Sequence, residues 1–206
     1  MNPGPTFDRV YEDLKRKLIE GDFAPGHHLE PATLGEELHS SITPVRDALH
    51  RLAGERLVVT PRNDGFRVPV LTEAELRDLY AWSGTLVDLA LRRQRSASGI
   101  DRLPHPPEID HSIPADPGIF FRRLARDSGS GELEAAVEQL NNRLGAFRRA
   151  EETLLDNIAL ELSSLLGAFG EGQLQELRRL LAAYHRRRQR CVPTLLVAMR
   201  RRHHRP

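Results

Sequence analysis

Apolar residues recur every three or four positions through residues 10–52 of this chain. Such spacing places side chains on one face of a helix, so each apolar stripe predicts a helix that buries that face. The first stripe ends at Gly21, the second is short, and the third follows the dipeptide Thr43-Pro44. In chain order the stripes are Val10, Leu14 and Leu18, then Leu34 and Leu38, then Val45, Ala48, Leu49 and Leu52.

Local signals predict where the second and third helices begin. Thr33, with Glu36 three residues later, has the spacing of a capping box. Thr43 is expected to be the N-cap of the third helix, with Pro44 at its first position, where the missing amide hydrogen costs nothing. Residues 57–60 and 66–68 are expected to be strands, joined by the hairpin signal Asn-Asp-Gly at 63–65. Together these elements predict a winged helix-turn-helix.

The chain from residue 72 onward predicts a helical bundle. Helices are expected over 72–94, 119–127, 132–154, 154–169 and 173–190. The inward residues of the first of these are Leu76, Leu79, Tyr80, Leu86, Leu89 and Ala90. Residues 95–118 contain five prolines and two glycines, so we expect a loop there. The predicted fold is mainly α: an N-terminal winged helix-turn-helix over residues 1–71 and a C-terminal antiparallel helical bundle over 72–206.

Composition narrows the class of protein. The chain has 206 residues, 29% of them charged, and a formal net charge of +1. Its longest apolar-rich stretch, 154–169, is interrupted by polar residues and is too short for a membrane span. Acidic residues arrive too early for a signal peptide, so we expect a cytoplasmic protein. The single cysteine excludes an internal disulfide. The sequence shows no nucleophile–base pair and no glycine-rich phosphate-binding loop, so we do not expect an enzyme.

Charge is distributed unevenly along the chain. Residues 1–72 carry nine Arg or Lys against eleven Asp or Glu, whereas residues 178–206 carry ten Arg and no acid. The basic tail over about 186–206 has two interpretations, contact with DNA phosphates or a solvated helix end. We favour the helix end, because arginines there complement the helix dipole.

The first seventy residues carry an ordered set of motif positions. They are Ile19-Glu20-Gly21, Pro25-Gly26, Leu29, Leu34, Leu38, Thr43-Pro44-Val45-Arg46-Asp47-Ala48-Leu49, Arg51-Leu52, Leu57-Val58 and Gly65. Over about residues 8–70 this set resembles the DNA-binding domain of GntR-type bacterial transcription regulators. The helical remainder resembles, more weakly, the effector domain of the FadR branch of that family through segments 75–80 and 120–129.

The resemblance implies that the third helix enters the major groove of DNA, with the hairpin as a wing on the backbone or the minor groove. Arg46 is the central candidate, for a guanine or a phosphate; the alternative is an internal ion pair with Asp47, Glu12 or Glu55. Thr43 and Pro44 would cap a helix in any protein, and Gly65 is required by the turn in either case. The candidate DNA-binding residues are Thr33, Ser41, Thr43, Pro44, Arg46, His50, Arg62, Asn63, Gly65 and Arg67.

Two departures from the family pattern matter for affinity. The family usually places an arginine where this chain has Ile42, and a second basic residue where it has Ala32. Two cations that would gain affinity through counterion release are therefore missing. They favour an alternative function, a dimeric protein-interaction module whose winged helix has lost specific DNA reading.

The resemblance also bears on metal and effector binding. Many FadR-branch domains hold a divalent metal with one aspartate and three histidines, whose positions fall here at Pro117, Phe121, Leu162 and Tyr184. The ligands Asp116 and His185 lie one residue away, which turns a helical side chain by about 100°. We therefore expect no metal or other cofactor. Two interpretations of this region stay open, a dry cavity for an unidentified small-molecule effector and a core filled by side chains. The candidate pocket residues are Tyr80, Phe121, Leu162, Tyr184 and His185.

The sequence hypothesis is a homodimeric transcription regulator, expected to be a ligand-responsive repressor that binds double-stranded operator DNA. Dimer symmetry is expected because one small domain buries too little surface for useful specificity.

Overall fold

Three helices and an irregular wing form the first part of the chain. The computed structural model describes residues 5–62, 64–98 and 116–202. Helices α1 (Pro5–Glu20), α2 (Pro31–Glu37) and α3 (Ile42–Gly54) bury the three predicted stripes in one apolar core with Leu57, Val58 and Phe66. The four stripe residues of α3 are completely buried. Gly21 ends α1 in the left-handed region (φ 74°), as the sequence predicts.

Both helices begin earlier than predicted, α2 by three residues and α3 by two. Helix α2 begins at Pro31 after Glu30, so Thr33 is its third residue and forms no capping box. Helix α3 begins at Ile42 after Ser41, so Thr43 and Pro44 lie inside its first turn. Proline is tolerated anywhere in that turn, because the first amides of a helix have no intrahelical acceptor. The proline signal therefore marks the first turn and not its exact start.

The wing is less regular than the two predicted strands. In the described residues its pairing is limited to two isolated antiparallel bridges, Val59 with Arg67 and His28 with Arg67. Val59 and Arg67 exchange both backbone hydrogen bonds, at 2.8 and 2.9 Å. On the other side of residues 66–68, the Leu29 amide donates to the Phe66 carbonyl and the Val68 amide donates to that of His27. Arg67 is thus the centre of the wing, bridged to Val59 on one side and to His28 on the other.

The described residues after Thr72 form five helices: α4 (Glu73–Ser98), α5 (Pro117–Asp127), α6 (Gly131–Leu154), α7 (Ile158–Gly170) and α8 (Leu174–Arg202). Side chains of Asp116 and Ser130 cap α5 and α6. Asn157 adopts φ 60° and separates α6 from α7. The mainly α fold class is confirmed.

Several predicted details of these helices are wrong. Helix α4 continues to Ser98, inside the expected loop, whose residues 99–115 lie outside the described part of the chain. Helix α8 continues to Arg202 through Pro193, so the arginines at 186–190 lie in its middle and not at its end. Leu89, expected to point inward, is 44% exposed. Helix α7 starts at Ile158 and not at Leu154.

The chain divides into two compact units. The first contains residues up to Thr72, Asn142–Ala150 of α6 and the chain from Leu195; the second contains Glu73–Asn141 and Glu151–Thr194. Within the first unit, a side chain added at Gly145 would lie 2.5 Å from Ile19 Cγ2 and 2.8 Å from the Ile19 carbonyl oxygen. The absence of a side chain at Gly145 therefore allows this segment of α6 to approach the end of α1. The boundary at residues 71 and 72 stays a prediction.

No helix in the described ranges has both the length and the apolar character that crossing a membrane requires.

Candidate nucleic-acid interface

The outer face of α3 collects most of the predicted DNA-binding residues. Ser41, Thr43, Arg46 and His50 are exposed, whereas the opposite face of α3 is sealed in the core. Pro44 is half-buried. The helix therefore has one apolar face that anchors it and one polar face that is accessible to a partner.

The Arg46 side chain makes no hydrogen bond or ion pair with any residue the structure describes. The expected alternative partner Glu55 is held elsewhere: Lys15 Nζ lies 2.9 Å from its carboxylate, and the Tyr11 hydroxyl donates a hydrogen bond to it. Burial, followed by the hydrogen bond to Glu55, raises the pKa of Tyr11. The described structure thus leaves the Arg46 guanidinium accessible to an external acceptor.

His50 is exposed, and its side chain also contacts the wing. Its ring meets the ring of Phe66 edge to face, with 4.9 Å between centroids. This contact joins the third turn of α3 to the wing. His50 is therefore placed to hold the wing as well as to face a partner.

A groove of about 280 Å³ lies where α2, α3 and the wing meet. It brings together Arg46, Ile42 and Gly65, three positions that the sequence singled out. The remaining lining residues are His28, Glu30, Pro31, Ala32 and Phe66. Thr33 is exposed on α2 but does not line this groove.

The wing tip uses one of its predicted cations internally. Arg67 donates two hydrogen bonds to the Asp64 carboxylate, at 2.6 and 2.8 Å, and a third to the Gly26 carbonyl at 3.0 Å. The hydrogen bonds from Arg67 lower the pKa of Asp64. Gly65 adopts φ 65°, which favours glycine. Arg62 is exposed, and Asn63 lies outside the described residues.

Of the five predicted effector-pocket residues, three lie in direct contact. The Phe121 ring centroid is 5.2 Å from that of Tyr184 and 5.5 Å from that of His185. The His185 Nε2 atom lies 3.2 Å from the hydroxyl of Ser83. All five are buried, with Leu162 only 4% exposed. This packing favours the filled-core interpretation at these positions.

A buried ionic cluster beside them was missed by the sequence analysis. Arg188 is completely buried; its Nε donates to Glu151 (2.9 Å) and its Nη1 to Glu161 (2.6 Å). The Tyr80 hydroxyl donates to the other oxygen of Glu151 at 2.5 Å. The Arg188 guanidinium also stacks 3.3 Å from the Tyr184 ring centroid. Arg188 therefore contradicts the expectation of a solvated basic segment at 186–190.

A groove of about 400 Å³ runs between α4 and α8 on the other side of His185. Its lining includes the ion pair between Arg178 and Asp88, whose closest atoms are 2.9 Å apart. His185 is the one predicted pocket residue that reaches it. In the described ranges, no three His, Cys, Asp or Glu side chains are grouped as metal ligands would be. His105, His111, His203 and His204 lie outside those ranges.

Residues 6–68 match the family model of the bacterial regulatory proteins, gntR family. The match covers the three amino-terminal helices and the wing, and leaves the helices from residue 73 onward outside it. One similar protein is the HTH-type transcriptional repressor GlaR of Escherichia coli (strain K12), 34% identical over 87 residues, or 40% of each chain. The Nta operon transcriptional regulator of Aminobacter aminovorans is 39% identical over 70 residues, 34% of this chain and 33% of the relative. These matches span 40% or less of the curated relatives' length.

Two solved structures share the fold over most of the chain. E. coli McbR/YncC superposes with a TM-score of 0.64, 22% identity, and coverage of 93% of this chain and 99% of its own. A transcriptional regulator GntR from Rhodococcus sp. RHA1 superposes with a TM-score of 0.68 and 19% identity over 91% of this chain and 97% of its own. At these identities the likeness shows a shared fold.

Proposed function

We propose that this chain is a DNA-binding transcription regulator of the GntR family. The observation that carries the proposal is the outer face of α3, where Arg46 is exposed and has no partner among the described residues. A helix with an apolar inner face and an exposed arginine fits the roughly 12 Å wide major groove, where arginine pairs with guanine O6 and N7 or with phosphate. The GntR-family match of residues 6–68 supports the same function.

Roles at the interface follow from the placement of each side chain. Ser41 and Thr43 are proposed to donate to phosphates beside the first turn of α3, and Arg46 to read a base or hold a phosphate. Gly65 and Arg62 bring the wing to the backbone. Arg67 is assigned to bracing the wing, because its guanidinium is already bound by Asp64 and Gly26.

The regulator is proposed to act as a homodimer on adjacent half-sites of a roughly palindromic operator, as a repressor. Trp82 and Leu89 support a dimer: they are 51% and 44% exposed and lie two turns apart on α4. The relative GlaR is named a repressor, which supports the direction of regulation. The segments 75–80 and 120–129, which resemble the FadR branch, lie in α4 and across the end of α5, and we propose that branch.

An effector is proposed to bind in the groove between α4 and α8. Its volume of about 400 Å³ is within the range of small-molecule sites. The Arg178–Asp88 ion pair and His185 would supply polar contacts there. This location replaces the predicted pocket, because the side chains of the predicted pocket residues are buried in the core.

The test is DNA binding by the purified full chain, using genomic fragments that it retains at low salt, with and without candidate metabolites. Arg46→Ala is expected to abolish retardation at protein concentrations that shift the wild-type complex, since a bidentate arginine contributes roughly 5- to 150-fold in affinity. The matched control is Arg77→Ala, another exposed arginine, whose partner is Glu73 on its own helix. Circular dichroism and sedimentation should be unchanged in both variants.

Wild-type affinity in Arg46→Ala would contradict the proposed role of this helix. Retention of no DNA at low salt would contradict the function itself. That outcome would favour the interaction module, which Ile42, Ala32 and the acidic balance of residues 1–72 already indicate.

A further inference from the structure

Ile42 is an apolar side chain placed on the polar face of α3. It is the first residue of the helix and is 49% exposed. It lies four residues before Arg46, one turn along the helix, and both line the groove formed by α2, α3 and the wing. The Ile42 side chain and the Arg46 guanidinium are therefore accessible from the same side of α3.

The surroundings of Ile42 do not favour a phosphate. Ile42 itself carries no side-chain donor, and its neighbours in the groove include the apolar Pro31 and Ala32 and the carboxylate of Glu30. A phosphate placed there would meet the carboxylate of Glu30; besides Arg46, the described lining residue that can carry a positive charge is His28, whose Nδ1 lies 3.7 Å from that same carboxylate. An apolar group on the bases is the better partner for this part of the surface.

The major groove offers one such group. Thymine presents its C5-methyl there, and apolar side chains that enter the groove recognise it by contact. Residues one turn apart on a helix have Cβ atoms about 5–6 Å apart. Base pairs are stacked about 3.4 Å apart, so Ile42 and Arg46 would reach bases one or two steps from each other.

We propose that Ile42 determines specificity by contacting the C5-methyl of a thymine within one or two base steps of the base read by Arg46. The inference rests on the proposed DNA-binding function. It assigns a positive role to a position where the resembled family usually has an arginine. The operator of this chain should therefore contain thymine where an arginine would select guanine.

The experiment uses an operator obtained by in vitro selection with the full-length chain. Each thymine is replaced in turn by deoxyuridine, which removes the methyl and keeps the base pair. One position in each half-site is expected to lose affinity about fourfold, the value of burying one methyl-sized group. In Ile42→Ala the same replacement should cause no further loss, while Ile42→Val should retain the sensitivity.

Val59→Ala is the matched control, because Val59 is an apolar wing residue that is 41% exposed. Its sensitivity to deoxyuridine should equal that of the wild type. Tight binding with no sensitive thymine, or unchanged sensitivity in Ile42→Ala, would overturn the inference and leave the proposed function standing. Failure of the wild-type chain to select any DNA would overturn both.

Discussion

Replacing Arg188 by methionine tests whether the buried ionic cluster stabilises the helical unit. The change removes a completely buried cation and leaves Glu151, which is 2% exposed, with the Tyr80 hydroxyl as its remaining hydrogen-bond donor among the contacts described. Breaking a buried ion pair on one side typically costs about 3–5 kcal/mol, because the remaining charge stays desolvated.

We expect a value near the lower end of that range, about 3 kcal/mol. Glu161 is only partly buried and keeps Arg187 at 3.6 Å, so one of the two carboxylates is still compensated. Nη2 of Arg188 also has no partner among the described residues, so the cation is not fully satisfied in the native state. A loss of about 3 kcal/mol lowers the melting temperature of a chain of this size by roughly 6–12 °C.

The assay is urea unfolding at neutral pH, followed by far-UV circular dichroism and by the fluorescence of Trp82. Trp82 is the single tryptophan of the chain and lies on α4, so its signal reports on the unit that contains Arg188. Arg178→Met is the matched control; this arginine is 25% exposed and pairs with Asp88, so we expect a loss of about 0–1 kcal/mol. Equal losses in the two variants would refute the reasoning.

Two further predictions concern packing and pH. Gly145→Ala should lower the free energy of unfolding by about 1–3 kcal/mol, because the new methyl would overlap Ile19. The control is Gly167→Ala, where a methyl would meet open space; it should raise the free energy of unfolding by about 0.5–1 kcal/mol, because alanine favours a helix more than glycine does. Equal effects in chemical denaturation would contradict the close approach. Hydrogen bonds from Arg126 lower the pKa of Glu134, so its ion pairs stabilise the fold above the unfolded-state pKa and are lost as the pH falls. Glu134→Gln should therefore destabilise the protein at pH 7, and the difference from the wild type should shrink as the pH falls through the folded-state pKa; a thermal-melting difference that stays constant as the pH is lowered would argue against this contribution.

The winged-helix part was predictable because its signals are local. The buried stripe of α3 follows from spacing alone, and every predicted stripe residue is completely buried. The helix starts were less predictable, because serine, threonine and proline at neighbouring positions offer several equivalent caps. Here Ser41 precedes the helix, and Thr43 lies inside it. The residue types at 57–60 also satisfy a strand pattern, although within the described residues Val59 alone of these four forms a bridge, with Arg67.

The buried cluster was not predictable, because its partners are far apart in sequence. Arg188 lies within a run of arginines, a pattern typical of solvated surface, yet it binds Glu151 and Glu161, 37 and 27 residues away. Only the packing of α6, α7 and α8 makes those contacts. The prediction that Leu89 is buried is wrong for the opposite reason. Its helical spacing is that of a core residue, but no element of the described structure covers it.

The Arg188–Glu151–Glu161 cluster has a consequence for how this chain can evolve. Loss of one member leaves a buried charge without its partner and lowers stability. Replacing the buried partners together by apolar residues of similar size often leaves stability unchanged. Single substitutions at these three sites should therefore be rare among functional descendants, and concerted replacements comparatively common. In a lineage of such proteins the three positions would be inherited as a block.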